Sequence, residues 1–459
     1  MKSRFFRMLL GFAVVALAPP LAAQQVKVAS TVVDVVWQYN YPGTACVEND
    51  YSDVPVRPFL VGLMGQTVLW FAANSQGSYA SVGVNGSSDI LAQLQRGTAA
   101  GPGCVSWLPS ANYVGSTPDS YNTGLWMVAP FASDGRTVRA LVHNEFHGEW
   151  VGPGTGWCWQ QTPGITLACD YWNIVSAQSG DGGQSFQLDQ KVANTNVPAI
   201  VLGAPYQPPM LPPPPQKMQP TNLPQGITAQ SNILQVGRYY YVLVRQAPFQ
   251  PVGAPPSTGS GVCIYRAPVP IHPAVPLTWM GWGSSGSYTV AVPASYPTSP
   301  TTLCQPVLDG AFRFSWSFNT VLNQYVIIGQ DLLANVSTVG CPYAPGALPQ
   351  TADEAFVYMT ATLDEETGRL STMTKETCLL QINSFANWQT MTNQPLSGQA
   401  YPSLLDPTSP QLRPGDRNFQ YSGAQPYLYF TQLNPLGMGN YHGSDRGILR
   451  MPLAVSPTQ

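Results

Sequence analysis

Charge is scarce in this chain: Asp, Glu, Lys and Arg make up 9% of its 459 residues, against about 25% in an ordinary soluble domain. The surface must then be made polar by Ser, Thr, Asn, Gln and the backbone. With 20 Lys plus Arg against 23 Asp plus Glu, and a formal charge of −3, no basic field is available to hold phosphate, so nucleic acid is not an expected partner. Disorder is excluded as well. A disordered chain has few apolar residues and a high net charge, whereas 44% of this one is apolar. No long stretch carries a 3.6-residue apolar period, which disfavours helical bundles. No two cysteines have the C-x-x-C spacing of zinc knuckles or redox sites. Beyond the N-terminus, no apolar run approaches the roughly 20 residues of a membrane-spanning helix.

What is present begins with an export signal. Lys2, Arg4 and Arg7 precede an apolar run at 8–18, and Pro19, Pro20, Ala22 and Ala23 follow, so residues 1–23 read as a cleavable signal peptide. Cleavage removes three cations and no anion, taking the formal charge from −3 to −6. The expected product is secreted or periplasmic, without a membrane span, and monomeric. Eight cysteines fit an oxidising compartment. Pairing neighbours along the chain joins Cys46 to Cys104, Cys158 to Cys169, Cys263 to Cys304 and Cys341 to Cys378, one of many connectivities that eight cysteines allow.

Short apolar runs rich in Val, Tyr, Phe and Trp alternate with Gly, Pro, Ser and Asn clusters, the pattern of an all-β chain. Five strand pairs stand out, at 56–61 with 67–72, 125–130 with 137–144, 227–234 with 239–245, 311–317 with 324–330, and 401–406 with 426–431. Their spacing of about 80 residues exceeds the roughly 40 to 45 of WD-type repeats, so each unit is read as a four-stranded blade with long loops. The expected fold is a five-bladed β-propeller, a single domain over 26–457, with blades near 50–110, 120–200, 225–290, 304–390 and 400–455. A strand at 28–37 has no partner nearby, and the last strand at 447–455 lies in an unfinished blade. Pairing the two closes the ring and removes exposed edges. The proline-rich stretch at 203–224 reads as a stiff crossing between the second and third blades.

The segment from Ser179 through Asp181, Gly183 and Ser185 to Phe186 resembles the Asp-box of sialidases and other propellers. Asp accepts backbone N–H groups, Gly permits positive φ, and the aromatic residue is buried. In those families the box is a structural turn between the third and fourth strands, away from the ligand face. More of the chain resembles exported bacterial proteins with a five-bladed, glycosidase-like propeller. The matching pieces are Asp53 to Arg57, Ala140 to Gly148, Ser231 to Ile233 before Tyr239 to Arg245, Tyr401 to Asp406, Tyr427 to Thr431 and Arg446 to Arg450. The resemblance implies a carbohydrate-facing end of the ring, where first strands begin and second strands finish. It places Asp53, Arg57, Asn232 and Tyr401 beside His143, Glu145, His147 and Arg245 on that rim.

Two of the four histidines fall in the run from His143 to His147. Strand parity points His143, Glu145 and His147 to one face. Four strand residues span about 13 Å, too far for both imidazoles to reach one ion at about 2 Å, unless the strand ends before His147. No cofactor is expected, and a divalent metal has no further support. The cluster is therefore read either as a hydrogen-bonding or catalytic site or as polar filling of a propeller channel. Glycoside hydrolysis uses two carboxyl groups, about 5 Å apart for retention or about 6.5 to 9.5 Å for inversion. Asp53 and Glu145 are the candidates. The third unit offers Asn232 and Arg245 where the related glycosidases carry an acidic Glu, and Asp331 or Asp406 are the other carboxyls at hand. Trp159, with Trp150 and Trp157 in a Gly-rich loop, is a candidate platform for a sugar ring. Two functions stay open: a glycoside hydrolase, or a propeller that binds a glycan or a protein without turnover.

Overall fold

The computed structural model describes residues 24–38, 54–62, 67–74, 77–79, 82–83, 89–91, 121, 124–147, 170–183, 185–192, 195–196, 198–201, 225–247, 260–272, 275–292, 303–308, 314–347, 349–374, 376–384, 398–433 and 446–457. The expected signal at 1–23, the first four cysteines, the crossing at 203–224, Asp53 and Trp159 lie outside them.

Among the described residues strand is the main regular structure, in five runs of mostly antiparallel strands, the meanders, of which the second and third share one eleven-stranded sheet through the parallel pairing of Gln225 and Gly226 with Tyr171 and Trp172. The first is built on Arg57–Val61 and Thr67–Asn74. The second runs Leu125–Ala132, Val138–His147 and Asp170–Ser179, with short edge pieces at Gln187–Leu188 and Pro198–Ile200. The third runs Gln225–Gln230 and Leu234–Val236, then Tyr239–Ala247, Gly261–Pro268, Met280–Trp282 and Tyr288–Ala291. The fourth runs Ser315–Asn319, Gln324–Leu332, Glu354–Ala361 and Thr377–Ile382. The fifth runs Gln399–Leu405, Tyr427–Leu433 and Arg446–Pro457. Onto its last strand pair two N-terminal strands, Gln24–Val28 and Asp34–Gln38, in registers such as Val26 with Val455 and Asp34 with Arg450.

The strand sequences explain the packing. Tyr239–Ala247 is buried on both faces and so reads as a nearly continuous apolar run rather than an alternating one. Its Tyr240, Val242 and Val244 pack with Ile174 and Leu141 of the second meander, while Tyr241 and Leu243 pack with Trp316 and Ile327 of the fourth. Equivalent cores join the first meander to the second through Phe59, Val61 and Val142, and the fourth to the fifth through Ile328, Phe356 and Phe430. A further core joins the fifth back to the first, with Val36, Val56, Leu60, Leu405 and Tyr429 in contact. Burial of each large apolar side chain contributes about 1.5 to 3 kcal/mol, so these face-to-face cores hold the meanders together.

Two elements differ from expectation. The stretch at 28–37 is two strands, interrupted between Val28 and Asp34. The strand expected at 227–234 breaks at 231–233, because the Ser231 hydroxyl accepts the Leu243 N–H at 2.9 Å and takes over a ladder bond from the backbone. The first strand of the fourth meander is Ser315–Asn319, and residues 311–313 of the strand expected there lie outside the described residues.

Direct hydrogen bonds fix the relative direction of the first strands. Arg57, at the start of its strand, donates to Phe314 O, just before Ser315–Asn319, and to Ser403 Oγ, within Gln399–Leu405. The far ends of the first strands meet one segment, 406–423. Arg417 O accepts the Leu60 N–H at 2.7 Å, Asn418 exchanges two bonds with the Ala132 backbone, Gln420 accepts the Gln235 N–H, and Ser422 O accepts the Thr320 N–H at 2.8 Å. Buried Asp416 shapes the segment by accepting from Ser409 Oγ, Asn418 N and Gln420 N. The fifth meander thus supplies a plug to the other four, leaving the ends at Arg57 and Glu145 opposite it. Two of the expected disulfides, Cys263–Cys304 and Cys341–Cys378, are formed.

Candidate functional site

The second meander carries a polar cluster at the unplugged end. His143, Glu145 and the backbone of His147 lie on Val138–His147, which continues as strand through His147 opposite Asp170. The two histidines are therefore about 13 Å apart along the chain. Glu145 accepts a hydrogen bond from His143 Nε2 at 3.0 Å, with side-chain exposures of 14% and 8%. Same-face parity brings the two together, and their cross-strand partners complete the cluster: His143 opposes Trp126, and Glu145 opposes Trp172. The Trp126 and Trp172 rings meet the imidazole edge-on, with centroids 6.0 and 4.9 Å away. A carboxyl group bonded to an imidazole that itself meets two indoles can take hydrogen bonds from hydroxyls or move a proton.

Two glycines allow this arrangement. Gly226 has φ +95°, and a Cβ there would lie 2.1 Å from Trp172 O, so the parallel contact of Gln225–Gln230 with the Trp172 strand needs glycine. Gly124 has φ +49°, accepts the Glu145 N–H at 3.0 Å, and has no room for a Cβ against the Trp126 ring.

Arg57 is 3% exposed and, among the described residues, meets no carboxylate. Its Nη1 donates to Val56 O and Ser403 Oγ, and its Nη2 to Phe314 O. Burial alone pushes the guanidinium down to about 9. Val54, three residues before it, packs on Trp126 and Val128, which joins the first meander to the His143 cluster. Tyr401 is half-buried, has φ +61° in the register shift between Ala400 and Ser403, and packs on Ala400 and Leu433. Such a conformation is rare for a bulky residue.

Other candidates are engaged elsewhere. Asn232 sits in the break between two strands, and both its amide atoms bond the backbone of Trp316. Arg245 is half-buried opposite Val262. Asp406 accepts from Thr408 and Gly423 at the plugged end, and Asp331 accepts from Leu332 N and Asn335 Nδ2. In the segment resembling an Asp-box, Asp181 accepts from Ser179 Oγ, Ser185 N and Ser185 Oγ, Gly183 has φ +83°, and Phe186 is buried. It forms the turn after Asp170–Ser179, and its Gly182 N–H reaches Arg136 O beside the plugged end. Among the described residues, no three His, Cys, Asp or Glu side chains are close enough to hold a metal ion, and no helix is long and apolar enough to cross a membrane.

Trp126 is buried in a core with Val54 and Val128, whereas Trp172 is only partly buried and was not singled out by sequence reasoning. The available signal was parity, since a residue opposite His143 or Glu145 shares its face.

The sequence matches no family model and none of the curated proteins. Among solved structures, it is similar to the catalytic domain of a GH62 α-L-arabinofuranosidase from Coprinopsis cinerea, at 9% identity, with 94% of this chain and 97% of that one covered, and a TM-score of 0.36. A GH32 β-fructofuranosidase from Bombyx mori, crystallised with sucrose, shows 10% identity over 88% of this chain and 62% of its own, at a TM-score of 0.36. A Trypanosoma rangeli sialidase mutant shows 8% identity over 94% and 59%, at 0.29. Likeness at this level concerns general architecture and assigns no activity.

Proposed function

We propose that the chain is an exported, carbohydrate-active five-bladed propeller whose ring closes through the N-terminal strands, and that a glycan is held at the end of the ring opposite the plug. The observation that carries this reading is the His143 to Glu145 hydrogen bond between Trp126 and Trp172. Sugars offer hydroxyl donors to a carboxylate and C–H faces to indoles, and neutral polar ligands suit a chain so poor in charge. In the hydrolytic form of the reading, Glu145 and Asp53 are the carboxyl pair, His143 sets the orientation of Glu145, and Arg57, His147, Arg245, Trp159 and Tyr401 contribute to the rim.

One observation favours binding without turnover. The third meander offers no carboxyl group between Gln225 and Ala247, and the amide of Asn232 is committed to Trp316. Incubating the mature protein with a polysaccharide and oligosaccharide panel, followed by reducing-sugar and product-mass analysis, separates the two. New products lost in Glu145→Gln establish hydrolysis. Saturable retention of intact glycan, weakened by Trp172→Ala, establishes binding. Neither turnover nor retention overturns the carbohydrate reading and leaves a protein-interaction propeller.

A further inference from the structure

Two residues just before Leu125–Ala132 lie in the left-handed region. Gly124, at φ +49°, accepts the Glu145 N–H on its carbonyl at 3.0 Å, and a Cβ there would lie 2.9 Å from Glu145 O. Tyr121, three residues earlier, has the same φ of +49°. Glycine adopts that conformation freely, whereas a bulky residue in it is strained and must be held by its surroundings. The ring supplies the hold. Tyr121 is 3% exposed and shares one core with Leu125, Phe146 and Tyr171. Phe146 and Tyr171 are cross-strand partners, as are Glu145 and Trp172 one residue along each strand. Successive residues of a strand face opposite ways, so Phe146 and Tyr171 back Glu145 and Trp172 across the thickness of one sheet. Close-packed interiors transmit displacement rather than absorb it. A shift of this core, or of the Gly124 carbonyl, is therefore passed to Glu145 and through its hydrogen bond to His143.

We propose that Tyr121 is a positioning residue for Glu145, its ring and its left-handed backbone together fixing where the carboxyl group is presented to a ligand. It acts through Phe146, Tyr171 and Gly124 rather than by touching the ligand. The inference deepens the carbohydrate reading and rests on Glu145 being the group that meets the glycan.

The test compares Tyr121→Leu, Tyr121→Phe and Val138→Ala in the full mature protein. Val138 is fully buried in the same core, at the plugged end of the strand that carries Glu145, so its truncation loosens the core away from the site. With histidine ring carbons labelled, the nuclear magnetic resonance signal of His143, assigned by its loss in His143→Gln, reports the imidazole bonded to Glu145 and flanked by Trp126 and Trp172. Glycan retention, or turnover, is measured on the same preparations. Tyr121→Leu is expected to displace the His143 signal and to lower retention or kcat about tenfold or more. Tyr121→Phe should restore the wild-type signal, and Val138→Ala should lower Tm with the signal in place. A His143 signal unmoved in Tyr121→Leu, or moved as far in Val138→Ala, would overturn the proposal and make Tyr121 ordinary core. Failure of wild type to retain or turn over any glycan overturns the carbohydrate reading instead and leaves the comparison of signals standing. Should Tyr121→Leu fail to fold, hydrogen exchange of wild type decides. A Glu145 amide protected from exchange supports the proposal, and one exchanging at the rate of an unstructured chain shows that Gly124 does not hold it and overturns the proposal.

Discussion

Asn232 and Trp316 are joined by three hydrogen bonds although 84 residues separate them: Asn232 Nδ2 to Trp316 O at 2.9 Å, Trp316 N to Asn232 Oδ1 at 3.0 Å, and Trp316 Nε1 to Asn232 O at 2.9 Å. The pair lets the break at 231–233 serve as a clamp between the third and fourth meanders. Asn232→Ala should cost about 3 kcal/mol in urea unfolding, because it leaves a buried donor and acceptor of Trp316 unpaired. Asn232→Asp keeps the acceptor but not the donor and should also destabilise. Loss of ligand binding with unchanged stability would instead make Asn232 a ligand contact.

Glu145→Gln keeps the shape of the side chain and a hydrogen-bonding oxygen but removes the charge. If the site turns glycans over, kcat should fall by about 10² to 10⁴, while Tm stays within a few degrees. A variant with full activity on the same substrate would remove Glu145 from the chemistry.

Gly226→Ala places a methyl group against Trp172 O and forces a strained φ. A destabilisation of more than about 1 kcal/mol is expected, together with weaker glycan binding, because the Trp172 strand must move. Circular dichroism melting and a binding isotherm on the same preparation check both effects.

Arg450→Met removes the partner of Asp34 and Asp89 and leaves the Tyr427 ring without the cation stacked at 4.2 Å. The N-terminal strand Asp34–Gln38 should then detach more readily. Limited proteolysis is expected to cleave near residue 34 several times faster than in wild type, with a stability loss of about 1 to 3 kcal/mol. Equal cleavage rates would show that strand pairing alone holds this end.

Much of the strand framework was legible in local pattern. The pair at 56–61 and 67–72, and the run of Tyr and Val at 239–245, are apolar segments bounded by turn residues, and each forms a strand close to its expected limits. Parity alone brought His143 to Glu145. What was not legible depends on contacts distant in sequence. Ser231 and Asn232 look like any polar pair until Leu243 and Trp316 are placed beside them. Asp406 looked like an available carboxylate, and only the docking of 406–423 commits it to shaping that segment. Trp172 was lost among twelve tryptophans because composition does not say which face of a strand remains open.

The pairing of Gln24–Val28 with the chain's last strand, and of 406–423 with the ends of four earlier first strands, has a kinetic consequence. The contacts that lock the first meander are made by residues synthesised more than 300 positions later, such as Arg417 on Leu60. High contact order of this kind slows folding, since loop-closure entropy is spent before the native contacts form. Emerging vectorially, the chain cannot complete its first unit before its last is available. Its early strands must wait with their apolar faces open, so refolding yield should depend more steeply on protein concentration than on the order in which individual hairpins form.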